Sequence, residues 1–87
     1  MTARDAFTHE LENRRSQLEK LRAALEVQEE DDDDKDIQRA LALLRRAEMS
    51  FAGAESHLAQ GIWKDGLYLL SQGIWNLGCA HGLSRRL

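Results

Sequence analysis

The sequence offers few side chains that could do covalent chemistry. Cys79 and His81 lie two residues apart. On a helix that spacing turns them about 200° from each other, so they cannot form a nucleophile–base pair within one chain. Cys79 therefore reads as a small buried hydrophobe. It is the single cysteine, which excludes an intrachain disulfide and a multi-cysteine zinc site. His9, His57 and His81 are widely separated and lack an i, i+4 metal-ligand spacing. Each reads as a structural histidine. Glu48 and Glu55 fall seven apart on one helical face, where a carboxylate site is conceivable. Pairing with Arg45, or solvation, is the ordinary fate of such acids. No catalytic residue, metal ligand or cofactor-binding residue is assigned, and no cofactor is expected.

The densest charge is a run at residues 29–36, where seven acids and one base give −6. The whole chain carries −3, so the remainder is +3. An EF-hand loop would need alternating ligands, a glycine and a distal Glu, which this run lacks. It reads as a solvated acidic loop. Such a loop could mimic an anionic ligand or steer a basic partner, an effect that salt would weaken. Asp31 to Lys35 also spell the cleavage sequence of enteropeptidase. No basic stripe with interleaved aromatics is present, so nucleic acid is not an expected partner.

The elements that position these residues follow from periodicity. The 87-residue chain has no proline and five aromatic residues. That composition suits one small all-α domain rather than a many-turned β fold. Thr2 with Asp5 forms a capping-box pattern at the start of a first helix, about residues 3–29. Phe7, Leu11, Arg14, Leu18, Leu21, Leu25 and Gln28 follow in steps of four and three. This is the seam of a coiled coil, interrupted at Arg14. The seam has two uses of equal standing: packing on the rest of the chain, or pairing with a parallel copy. In the second, Glu10 of one copy would face Arg15 of the other. Arg15–Glu19 and Arg22–Glu26 are spaced to support the helix from its outer side.

The acidic loop is expected over about residues 30–36, because its carboxylates oppose the dipole at a helix C-terminus and favour the start of the next helix. Asp34 or Asp36 would cap helix 2, about residues 37–60. Its apolar face is Ile37, Ala40, Leu41, Leu44, Ala47, Phe51, Ala54 and Leu58. Gly61 stands where a left-handed C-cap belongs. Helix 3, about residues 62–83, is apolar nearly all round, a property of helices buried on most sides. Three helices of this length cannot easily bury one whole helix, which argues for self-association or an obligate partner. Gly66 and Gly73 share a face with Leu70 and Leu77. They can meet Ala47, Ser50 and Ala54 of helix 2 at close range.

Residues 47–80 resemble a helical hairpin of the tetratricopeptide type. Small residues fall at Ala54, Gly66 and Gly73, Gly61 lies at the turn, Trp63 just after it, and Leu70 at a core position. The pattern departs at Ser50, where that motif has an aromatic, and it lacks the closing proline. It comprises one repeat, where an array needs about three. The stretch from Ala47-Glu48 to Asp65-Gly66 is also similar to the hairpin of the HEPN superfamily, whose active members are ribonucleases. Those carry an Arg followed four to six residues later by a His. Here that spacing occurs at Arg4 and His9, at the chain start, and it is not carried over as a site. Small helical chaperones of bacterial secretion systems use similar hairpins, and the Ala/Leu/Arg-rich composition has a bacterial character.

The fold expected is an all-α three-helix bundle. Helix 1 is coiled-coil-like, helices 2 and 3 form a tight hairpin, and the assembly is dimeric. The function expected is a non-catalytic protein–protein interaction module: a small chaperone, adaptor or inhibitor that covers a partner surface. The alternatives are a HEPN-like RNA-binding or RNA-cleaving domain, with Arg4 and His9 meeting across a dimer, and a structural coiled-coil dimerisation element. Partner contacts are expected at Leu11, Leu18, Leu21, Leu25, Trp63, Tyr68 and Trp75, against another protein, a second copy, or both. Trp75 also has a competing place in the core. The start of the chain shows no apolar signal region. Residues 66–84 are uncharged but too polar for a membrane span. Both point to a cytoplasmic protein with no membrane partner.

Overall fold

A computed structural model describes residues 2–28 and 35–85. Three helices account for nearly all of them: α1 (Ala3–Gln28), α2 (Lys35–Ala59) and α3 (Trp63–Ser84). No strand occurs among the described residues. The body is elongated, with extents of 44 × 20 × 16 Å. Residues 30–34 of the expected acidic loop, with the Asp34 cap, lie outside the described residues, whereas Lys35 and Asp36 belong to a helix and not to a loop. Helix 2 begins two residues earlier than its apolar pattern, which puts Asp36 in the first turn rather than at the cap. There its charge still favours the helix N-terminus.

The helix ends are built as their sequences dictate. The Thr2 amide donates to Asp5 Oδ2 at 3.3 Å, and the Asp5 amide donates to Thr2 Oγ1 at 3.2 Å. This reciprocal pair is a capping box with Asp in place of Glu. Helix α2 closes in a Schellman turn. The Ile62 amide reaches the His57 carbonyl at 2.8 Å, and the Gly61 amide reaches that of Leu58 at 3.0 Å. The turn requires a left-handed residue, and Gly61 has φ +76°. A side chain there would strain the backbone.

All eight apolar positions read from the α2 sequence are buried. They face both neighbours, so α2 is the central helix. α3 lies along α2 as a close hairpin, whereas α1 packs mainly on α2 and meets α3 much less. The hairpin is close because α3 turns small residues towards α2. Gly66, Gly73 and Ala80 of α3 are buried, as are Ala47 and Ala54 of α2. The contact is tightest at Gly73, where a Cβ would come within 2.5 Å of the Phe51 ring. Phe51 is fully buried, so its ring lies directly against the Gly73 backbone.

The leucine seam of α1 is used within the chain. Phe7, Leu11, Leu18, Leu21 and Leu25 all belong to the core. Arg14 breaks the seam by turning to Glu10, with Nε 2.6 Å from Oε1. The polar pairs differ from those the local spacing suggests. Arg15 meets Glu55 at 2.6 Å, and Arg22 bridges Glu19 at 3.0 Å and Glu48 at 2.6 Å. Arg15 and Arg22 are seven apart on α1, as are Glu48 and Glu55 on α2. Two antiparallel helices therefore bring both pairs into register together. Glu10 and Arg15 thus have partners inside the chain rather than each other across two copies.

Candidate partner-binding surface

The four leucines expected to touch a partner, Leu11, Leu18, Leu21 and Leu25, lie in the core, at most 7% exposed. Here they join α1 to α2. The three aromatic candidates are placed differently. Trp63 is 38% exposed and stands edge-on to Phe7, with ring centroids 5.9 Å apart and planes at 89°. This T-shaped contact ties the start of α3 to the start of α1. Tyr68 is 63% exposed and Trp75 is 71% exposed. Trp75 therefore lies on the surface rather than in the core.

Helical geometry explains the division. The stripe of α3 turned to α2 is Gly66, Leu70, Gly73, Leu77 and Ala80. The helix is apolar on more sides than α2 can cover, so Leu67, Tyr68 and Trp75 face outwards. Three helices of this length thus leave part of α3 uncovered, as its all-round apolar sequence leads one to expect. Between Asp65 and Arg85 the helix contains no Asp, Glu, Lys or Arg. Ser71 and Gln72 are exposed between the two aromatics, and Gly78 and Gly82 are exposed beyond them. A Cβ added at either glycine would meet nothing within 4 Å. The outer face is thus neutral, aromatic at one end and nearly flat at the other. Leu67 was absent from the expected contacts. Its position one residue before Tyr68, off the buried stripe, is the signal that would have found it.

The polar candidates do not assemble. Arg4 lines a shallow cleft of about 270 Å³ between the start of α1 and the end of α2, shared with Glu12, Arg15 and Glu55. His9 is exposed on α1 and does not line that cleft. The ring of His57 is hydrogen-bonded through Nδ1 to the Gly53 carbonyl at 2.8 Å, one turn back on its own helix. Cys79 is half-buried rather than buried, because it sits at the margin of the stripe facing α2. Glu48 and Glu55 hold arginines of α1, not Arg45. No group of His, Cys, Asp and Glu among the described residues is gathered closely enough to hold a metal ion. No helix among them is long and apolar enough to cross a membrane.

Comparison with known protein families, with curated proteins and with solved structures found no match for this chain.

Proposed function

We propose that the chain is a non-catalytic protein–protein interaction module that works by covering an apolar surface of its partner. The outer face of α3 is the contact surface. One observation carries this reading: Tyr68 and Trp75 are more than half exposed on a helical face with no charged residue between Asp65 and Arg85. Trp and Tyr dominate binding energy at interfaces because they bury much area at little cost in conformational freedom. Exposed aromatic side chains on an uncharged helical face are a mark of interaction sites.

The test is a photo-crosslinking amino acid placed at Ser71, between the two aromatics, with Ser16 on the exposed side of α1 as control. The expected result, in the cells that make the protein, is a discrete protein adduct from position 71 and none from position 16. No adduct at position 71 above the control would overturn the assignment of this face.

A further inference from the structure

We propose that the occupant of the α3 outer face is a second copy of this chain, packed antiparallel about a twofold axis between Trp75 and Gly78. The inference rests on the reading of that face as a binding surface and names what binds there.

Tyr68, Ser71, Trp75, Gly78, Gly82 and Arg85 follow one another in steps of three and four along the exposed side of α3. That spacing is the seam of a two-helix interface. Turning a copy end for end places Trp75 opposite Gly78 of the second copy, Ser71 opposite Gly82, and Tyr68 opposite Arg85. Each large residue then meets a small one or a cation. The open space over Gly78 and Gly82 is where a ring and a helix backbone could approach. A parallel pair would set aromatic against aromatic and glycine against glycine, leaving alternate bulges and gaps. Symmetric assembly needs a self-complementary patch, and the antiparallel register supplies one.

Charge is compatible with the same occupant. A charged partner face would find no counter-charge between Asp65 and Arg85. An identical neutral face leaves no charge unpaired. The one charge at the end of the seam, Arg85, arrives over the ring of Tyr68, a cation–π arrangement. Area sets the strength. Aromatic side chains carry about 150–250 Å² each, so Tyr68 and Trp75 offer roughly 300 Å² per copy at their exposures. That is well below the roughly 800 Å² per partner of a stable complex. The dimer is therefore a weak one that forms with concentration.

The experiment is sedimentation equilibrium of the full chain across a concentration series. It compares wild type, Gly78→Leu, Trp75→Ala, and Gly78→Leu combined with Trp75→Ala. A Cβ at Gly78 meets nothing within 4 Å, so a leucine there is expected to leave the fold intact, and circular dichroism checks this. Wild type should dimerise. Each single variant should weaken the dimer about tenfold or more. The double variant should recover much of that loss, because the leucine introduced at position 78 of one copy then faces the alanine introduced at position 75 of the other. A monomer at every concentration, or a double variant no better than Gly78→Leu, overturns the antiparallel dimer. If position 71 crosslinks to a different protein while the chain stays monomeric, the interaction reading stands and the dimer falls. If position 71 crosslinks to nothing and dimerisation ignores both substitutions, both readings fall.

Discussion

Replacing glycine by alanine at two positions of α3 should change stability in opposite directions. Gly73 and Gly78 are both interior to the same helix, and at each the substitution removes the same helix penalty of about 0.5–1 kcal/mol. Their surroundings differ. At Gly73 the new methyl would lie 2.5 and 2.6 Å from two carbons of the Phe51 ring, which is fully buried and cannot swing away. Overpacking a core of this kind costs about 1–3 kcal/mol. The net expectation for Gly73→Ala is a loss of up to about 2.5 kcal/mol, which for a domain of this size lowers the melting temperature by up to roughly 10–20 °C. At Gly78 nothing stands within 4 Å, so the helix gain of about 0.5–1 kcal/mol is retained. Urea unfolding followed by circular dichroism measures both. Dilute samples keep association from contributing to the apparent stability. A further variant isolates the cause. In a Phe51→Leu background the ring is gone, and Gly73→Ala should lose most of its penalty, a coupling of at least about 0.5 kcal/mol. Equal effects at the two glycines, or the same penalty with and without the ring, would refute the close approach of α3 to Phe51.

The turn between α2 and α3 gives a second test. Gly61→Ala places a side chain at φ +76° and should cost about 1 kcal/mol in urea unfolding, with Gly61→Asn costing less because Asn tolerates the left-handed region. The paired arginines of α1 give a third. Removing both acids, Glu48→Gln with Glu55→Gln, should lower stability by no more than about 1 kcal/mol, since both sides of each pair keep contact with solvent. That loss should shrink in high salt, and a loss independent of salt would mean the acids act through something other than these pairs. A fourth uses enteropeptidase, whose target bond after Lys35 lies in the first turn of α2 and is expected to be cut as that helix end frays. Five buried side chains, from Phe7 to Leu25, hold α1 to the hairpin, so the two fragments should co-elute on size exclusion and separate in denaturant. Separation under native conditions would show that α1 is not part of a shared core.

The sequence by itself determined the three helices, the capped start of α1, the glycine end of α2 and the inner face of α2. These are local properties. The 3.6-residue period marks Ile37 to Leu58 as one stripe, the Thr2–Asp5 pair can close only on its own first turn, and a left-handed residue at the end of α2 calls for Gly61. The small face of α3 was legible for the same reason, but the partner at Gly73 was not: it is the Phe51 ring rather than Ala47, Ser50 or Ala54. Tertiary structure decided the rest. A leucine seam looks the same whether it packs on its own chain or on a copy, and only the position of α2 shows that Leu11, Leu18, Leu21 and Leu25 are used internally. The ion pairs of Arg15 and Arg22 reach across the antiparallel register to α2, so spacing along α1 could not name their partners. In α3, Leu67, Tyr68 and Trp75 are as apolar as Leu70 and Leu77. Which stripe turns inward is set by fit: Gly73 leaves room for the Phe51 ring and Gly66 for the Ala54 backbone, a second ring on that stripe would not fit, and so the aromatics of α3 are left on the outer face.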